Sequence, residues 1–95
     1  TKEAARWGLI NQVHKSEDLL AKARELAELL ASGPPLVYAA IKEVVREGEN
    51  MKFNDALNMI TKSQFRTVET LYRSDDQIEG ARAFSEKRDP IWKGK

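Results

Sequence analysis

The sequence predicts an all-α chain, interrupted by one short extended segment near residues 9–13. Three observations lead there. Apolar residues recur at three- and four-residue spacing over long stretches, the mark of helices that bury one face. Helix breakers fall between those stretches, at Gly8, at Gly33-Pro34-Pro35, at Gly48 and at Pro90. Residues suited to helix starts (Thr1, Ser16, Pro35, Asn50 or Asn54, Ser74) open each stretch in turn.

Thr1 to Trp7 reads as a short helix, with Thr1 as cap, Glu3 in the first turn and Gly8 at the C′ position. Leu9-Ile10-Asn11-Gln12-Val13 is too short for a helix before Ser16, and its Ile and Val favour a strand-like path. Ser16 is the next expected cap, with Glu17 and Asp18 in the first turn. From there to Ser32, Leu19, Leu20, Ala23, Leu26, Ala27, Leu29 and Leu30 form an amphipathic stripe, with Glu17, Lys22, Arg24, Glu25 and Glu28 largely outside it. Gly33-Pro34-Pro35 is the sharpest break. Gly33 suits a left-handed C′ and Pro35 the first turn of the next helix. That helix is expected to bury Leu36, Val37, Ala40, Ile41, Val44 and Val45 and to end at Gly48.

A third long helix, capped by Asn50 or Asn54, is expected to reach about Arg73. Its face carries Phe53, Ala56, Leu57, Ile60, Val68, Leu71 and Tyr72; Gln64 departs from it, and Met59 and Phe65 lie to one side. So broad a stripe suits a helix facing both its own core and a partner chain. Ser74 opens the last helix through an S-x-x-Q box with Gln77. Asp75 and Asp76 sit at the positive end of its dipole, Lys87 and Arg88 near the negative end, and Pro90 stops it. Ile78, Ala81, Ala83 and Phe84 supply a modest apolar face. Gly80 interrupts that face where alanine would be the better helix former, so another backbone or a bulky neighbour is expected close to it.

Ninety-five residues fit one small domain or part of a larger one, and 41% hydrophobic residues build only a marginal core at this size. Lys and Arg number 16 against 15 Asp and Glu, a net charge of +1. No global field draws nucleic acid or an acidic membrane, so neither is expected as a partner and any anion site must be local. The absence of cysteine removes disulfides, thiolate metal sites and cysteine nucleophiles, and fits a reducing, cytoplasmic compartment. No apolar run approaches the ~20 residues of a membrane span. The sequence opens on Thr1 at a helix cap, without an initiator methionine, and reads as a piece of a longer polypeptide.

Catalytic and metal chemistry find little to work with. His14 is the only histidine and has no cysteine or second histidine to complete a metal site. No G-x-S-x-G elbow and no glycine-rich phosphate loop occur. The acidic pairs Glu17-Asp18 and Asp75-Asp76 are explained by helix starts. Basic residues are not interleaved with aromatics as a nucleic-acid surface requires. One local cluster stands out. Lys87, Arg88, Lys93 and Lys95 gather near the end of the last helix with Phe84 and Trp92, and a flat aromatic beside flexible cations suits adenine stacking and phosphate pairing. Packing aromatics with solvated cations is the other reading, and residue chemistry alone favours it.

Longer blocks carry a resemblance. Ala4-Ala5-Arg6-Trp7-Gly8-Leu9-Ile10-Asn11-Gln12-Val13 resembles the A-x-x-x-G-L-V-N-x-V segment of the enoyl-CoA hydratase/isomerase (crotonase) superfamily. Gly33-Pro34-Pro35-Leu36, followed by Ala40-Ile41-Lys42, resembles its G-P-x-A-x-x-x-x-K helix pair. Glu79-Gly80-Ala81-Arg82-Ala83-Phe84-Ser85-Glu86-Lys87-Arg88 resembles its E-G-x-x-A-F-x-E-K-R ending. The blocks keep the family's order and span essentially the whole chain. The ending Arg88-Asp89-Pro90-Ile91-Trp92-Lys93-Gly94-Lys95 is most similar to the carnitinyl-CoA dehydratase-like branch.

The resemblance implies that residues 1–95 are the helical C-terminal region of a crotonase fold, used for trimer assembly, without the N-terminal core of repeated ββα turns. It implies a parent enzyme, a lyase or isomerase of fatty acid metabolism, that binds acyl-CoA thioesters with no cofactor beyond the CoA of its substrate. Two backbone N–H groups that polarise the thioester carbonyl, and the hydratases' two glutamates, belong to the missing core. No catalytic and no metal-binding residue is therefore assigned here, and the isolated chain is expected to be inactive. Phe84 and Lys87 map onto family positions that approach the CoA adenine and phosphate of a neighbouring subunit; Arg88 is a weaker candidate. A homo-oligomer, trimer or hexamer, is expected of the parent. The fragment itself is expected to self-associate through apolar surface around Trp7, Leu9 and Ile10. The alternative is a self-contained helical interaction module with no CoA role.

Overall fold

Helix ends, more than helix interiors, shape this chain. The computed structural model describes residues 1–95. They form six helices: α1 Lys2–Arg6, α2 Leu19–Ala31, α3 Pro35–Gly48, α4 Phe53–Thr61, α5 Arg66–Tyr72 and α6 Asp75–Glu86. The chain divides into two units, Thr1–Ser32 and Gly33–Lys95.

In the first unit, α1 stops as expected at Gly8, which takes φ +71°. The amide of Leu9 donates to the Ala4 carbonyl at 2.9 Å and that of Gly8 to Ala5 at 3.1 Å, the paired bonds of a Schellman motif. Thr1 stands at the N-cap, but its side chain makes no capping bond. Residues 9–13 form no strand: they bend at 9–11 and then run without regular structure. Ile and Val favour extended backbone, yet a strand persists only where a neighbouring strand satisfies its N–H and C=O groups, and none pairs here. His14 Nε2 lies 2.9 Å from Gln12 Oε1, a local surface contact. The cap expected at Ser16 falls instead at Asp18. Asp18 and Leu19 both donate to the Lys15 carbonyl, at 3.0 and 3.1 Å, so residues 16–18 close a turn before α2 begins. No residue of α2 is buried, and its leucine stripe is open, with Leu20 and Leu29 both 67% exposed.

The second unit holds the core. Pro34 is extended (ψ 106°) at the N-cap and Pro35 takes the first helical position of α3, where a missing N–H costs nothing. Gly33 does not adopt the expected left-handed C′ conformation; among the glycines only Gly8 and Gly94 have positive φ. Space explains it instead, because a Cβ at position 33 would lie 1.9 Å from the Tyr38 hydroxyl oxygen. α3 packs chiefly on α5 and also on α4. Ala40, Phe65 and Val68 are buried together, with Val44, Met51, Met59, Ile60 and Leu71 packed around them. Leu36, Val37, Ala40 and Val44 point inward as expected, whereas Ile41 and Val45 remain more than half exposed.

The expected long helix over residues 50–73 is two helices. Lys52, not Asn50 or Asn54, stands at the N-cap of α4. The break follows Thr61, whose hydroxyl donates to the carbonyls of Leu57 (2.9 Å) and Asn58 (3.2 Å). Ser63 then turns left-handed at φ 50°, Gln64 N–H bonds to the Met59 carbonyl at 2.8 Å, and Ser63 N–H to Ile60 at 3.0 Å. This second Schellman motif changes the helical phase. Phe65 accordingly enters the core at 3% exposure while Gln64 faces out, the reverse of what one continuous helix would give.

Phe65 occupies the N-cap of α5 and has no side-chain acceptor to offer. Glu43 of α3 takes over that role. Its Oε2 accepts the Thr67 N–H at 2.8 Å and the Thr67 hydroxyl as well. These two bonds, the hydroxyl's foremost, hold the Glu43 carboxyl below its ordinary pKa, and Arg66 and Arg46 add to the effect.

α6 begins as its sequence promised. Ser74 Oγ accepts the Gln77 N–H at 3.1 Å and also donates to the Leu71 carbonyl at 2.7 Å. Gln77 does not reach back as the full capping box requires, because the Ser74 N–H is already bonded to the Leu71 carbonyl at 3.1 Å. α6 ends in a third Schellman motif: Lys87 turns left-handed at φ 53°, with Arg88 N–H on Ala83 (3.1 Å) and Lys87 N–H on Phe84 (3.3 Å).

Candidate functional site

Beyond Lys87 the chain doubles back along α6, and two carboxylates of that helix hold it there. Glu79 receives the Arg88 guanidinium in a two-point pair, Nη1 to Oε1 at 2.6 Å and Nη2 to Oε2 at 3.1 Å. Glu79 Oε1 also accepts the Ile91 N–H at 3.0 Å. One turn earlier, Asp76 is 2% exposed and accepts the backbone N–H groups of Lys93 (2.7 Å) and Gly94 (2.8 Å). The Asp76 N–H in turn donates to the Lys95 carbonyl at 3.1 Å. Each end of the tail is thus tied to its own carboxylate.

Between those ties Trp92 lies over Gly80. A Cβ on Gly80 would come within 3.2 Å of Trp92 Cη2 and 3.4 Å of Cζ3, so the bulky neighbour expected from the sequence is this indole. Trp92 also borders a groove of about 330 Å³ lined by Leu36, Val37, Leu71, Tyr72 and Ala81, which keeps it half-buried.

The expected cluster of four cations does not form. Lys93 and Lys95 are carried back to the N-terminal turn of α6 by Asp76, about 16 Å along the helix from Lys87 at 1.5 Å per residue. Arg88 is committed to Glu79 and, through Nε at 2.6 Å, to Glu86. These carboxylates raise its pKa further, and Glu79, held first by Arg88 and then by the Ile91 N–H, is lowered to about 2. Trp92 faces Gly80 and serves packing.

Phe84 and Lys87 are what remains at the C-terminal turn of α6. Phe84 is 88% exposed, the most exposed large apolar side chain of the molecule. Lys87 is exposed and takes part in no ion pair. An exposed ring three residues before an exposed, unpaired lysine can stack a planar base and meet an anionic group. No three His, Asp or Glu side chains gather as a metal would require. Glu25 lies 2.7 Å from Lys22, and Glu69 lies 2.9 Å from Arg73. No helix is long and apolar enough to cross a membrane.

Sequence reasoning missed Asp76 and Glu79. Helix-start logic explained Asp76 too early, since an acid in the first turn needs no further partner. Glu79 stood in plain view in the E-G-x-x-A-F-x-E-K-R block, nine residues before its arginine.

Comparison with known proteins places these features in context. A family model described as enoyl-CoA hydratase/isomerase matches residues 1–95. The carnitinyl-CoA dehydratase of Escherichia coli is 42% identical over 94 residues, covering 99% of this chain and 36% of that protein. The carnitinyl-CoA dehydratase of Citrobacter koseri is 40% identical over the same length. Among solved structures, an enoyl-CoA hydratase from Geobacillus kaustophilus superposes with a TM-score of 0.87 at 36% identity, over 100% of this chain and 35% of that one. The enoyl-CoA hydratase from Bacillus anthracis does so with a TM-score of 0.85 at 33% identity, again over 35% of its length. The chain therefore spans about a third of the proteins it matches, and the matched third is their C-terminal part.

Proposed function

Because the chain belongs to the enoyl-CoA hydratase/isomerase family, we propose that it forms the CoA-facing and oligomer-forming part of an acyl-CoA hydratase or isomerase. In this reading Phe84 stacks on the adenine of a CoA thioester and Lys87 pairs with its phosphate, both reaching a site on a neighbouring subunit. The substrate class follows the carnitinyl-CoA dehydratases it resembles, an acyl-CoA that gains or loses water. Acid, base and carbonyl-polarising groups are assigned to the rest of the parent protein.

The observation that carries this reading is the exposure of Phe84. A phenylalanine 88% open to water contributes nothing to the core of these 95 residues and is free to meet a ligand or a neighbouring surface of the parent. Packing accounts for Trp92, which has Gly80 beneath it. A base stacked on an aromatic ring contributes about 1–3 kcal/mol, enough for one ring to matter to affinity.

Calorimetric titration of CoA into the full-length parent tests the assignment. Phe84→Ala and Lys87→Ala are each expected to weaken binding about tenfold, the scale of one stacked base or one charged hydrogen bond. Unchanged affinity in both variants would remove the CoA role. The isolated 95-residue chain is expected to give no hydration of crotonyl-CoA above background. The second reading is a helical interaction module without a CoA role, for which the open leucine stripe of α2 would supply the contact surface. Loss of assembly on α2 substitution with CoA binding intact would assign the two roles to different surfaces.

A further inference from the structure

We infer that α6 and the tail behind it, residues 75–95, form an arm that opens from the α3–α5 core as one body, with its pivot at Arg73–Ser74. Phe84 and Lys87 ride on this arm, but the inference stands on how the arm is bonded and not on what those two side chains contact.

Apolar packing stops at the pivot. Ala40, Phe65 and Val68, with Val44, Met51, Met59, Ile60 and Leu71 around them, all precede it in the chain. α6 packs on α5, but less closely than α5 packs on α3. Its own buried side chains are Asp76 and Ala83, and neither belongs to that cluster. Elements that share few buried apolar contacts with a core open before it does.

Hydrogen bonds divide at the same place. Beyond the helical ladder and the cap from Ser74, the bonds of residues 75–86 go to the tail. Glu79 holds the Arg88 guanidinium at 2.6 and 3.1 Å and the Ile91 N–H at 3.0 Å. Asp76 holds the N–H groups of Lys93 and Gly94 at 2.7 and 2.8 Å, and its own N–H donates to the Lys95 carbonyl at 3.1 Å. None of these bonds reaches α3, α4 or α5. At the pivot, Ser74 donates to the Leu71 carbonyl through its N–H (3.1 Å) and its hydroxyl (2.7 Å), and its extended backbone (ψ 155°) is the joint between two helices. Toward α3 the arm presents its tail: a Cβ on Gly94 would lie 3.6 Å from Pro35 Cγ, and Trp92 shares with Leu36 and Val37 the groove of about 330 Å³. Asp76, by clamping Lys93 and Gly94, therefore ties α6 to the segment that touches α3.

Amide hydrogen exchange of the full-length parent, followed by mass spectrometry over peptides from α3, α5, α6 and the tail, tests the arm. α6 and the tail are expected to exchange at a common rate, about tenfold or more above that of α3 and α5. Opening is visible this way because a helix of 12 residues is marginal once it leaves its neighbours. Asp76→Asn weakens the clamp on Lys93 and Gly94 and is expected to speed exchange about tenfold in both α6 and the tail, leaving α3 and α5 unchanged. Trp92→Leu loosens the contact with α3 from the tail's side and is expected to give the same pattern, which keeps the test open if Asp76→Asn folds poorly. An α6 that exchanges as slowly as α3 and α5 would overturn the inference, since the helix would then belong to the core. Acceleration of the tail alone in both variants would overturn it too, because the tail would be fraying from a helix seated without it.

Discussion

A single carboxylate can serve as hinge and latch when its partners come from the chain that follows it. Glu79 accepts from Arg88 and from Ile91 N–H, and its pKa falls from the usual 4.5 to about 2. The sign follows from linkage: a carboxyl whose folded pKa is depressed stabilises the folded form fully above its unfolded value, and that support fades as pH falls through the folded one. The tail should therefore remain latched at and above about pH 4.5 and loosen between there and about pH 2. Trp92 fluorescence, recorded in a Trp7→Phe background, should report a transition in that window. Glu79→Gln should already show the loosened signal at neutral pH, and an unaltered Trp92 signal in that variant would refute the latch. Gly80 offers a second test at the same spot. Gly80→Leu places a side chain where the indole sits, so Trp92 emission should shift to the red and the Lys93 and Gly94 amides should exchange faster, while α6 keeps its helicity.

Among whole elements, three of the six helices end the same way, at Gly8, Ser63 and Lys87. Only the first was legible, because glycine announces a left-handed residue and serine or lysine does not. That is why residues 50–73 read as one helix: nothing in Thr61-Lys62-Ser63-Gln64 marks a stop, and the misplacement of Phe65 followed from the missed change of phase. Ser63→Gly should relieve the strain and raise stability by about 1 kcal/mol in denaturant unfolding. No gain would mean that the Schellman bonds already absorb it. The start of α5 was hidden for another reason, since its cap comes from Glu43, 24 residues from Thr67. Local patterns cannot show a cap supplied across the core. The motifs of α6 were legible because they are local: Ser74 capping Gln77, and a glycine that foretold a large neighbour. Phe84 and Lys87 were singled out from sequence by family resemblance, and structure adds what resemblance could not, that one is bare and the other unpaired.

At the scale of the molecule, much of the apolar surface of a chain with 41% hydrophobic residues stays open, in keeping with a chain that spans about a third of its relatives' length. Ala40, Phe65, Val68 and Ala83 are its only buried hydrophobics, while Trp7, Leu9, Leu20, Leu29 and Phe53 are each two-thirds exposed or more. Water makes such surface costly, at about 25 cal/mol for each Å² that could be buried. The stripe of α2 is the most orderly part of it, with leucines repeating on one helical face and the charged residues, Lys22 apart, outside it. A face of that kind drives association, as each leucine it buries contributes about 1.5–3 kcal/mol. The 95-residue chain should consequently sediment as a concentration-dependent mixture heavier than one copy. Leu26→Lys with Leu30→Lys should move it toward the monomer while leaving circular dichroism nearly unchanged, because neither side chain is buried in the chain. A strictly monomeric species at high concentration, before any substitution, would show that these faces do not associate with one another. Retained association in the double variant would instead shift the contact to the other open patch, around Trp7 and Leu9, where Trp7→Ser is the corresponding test.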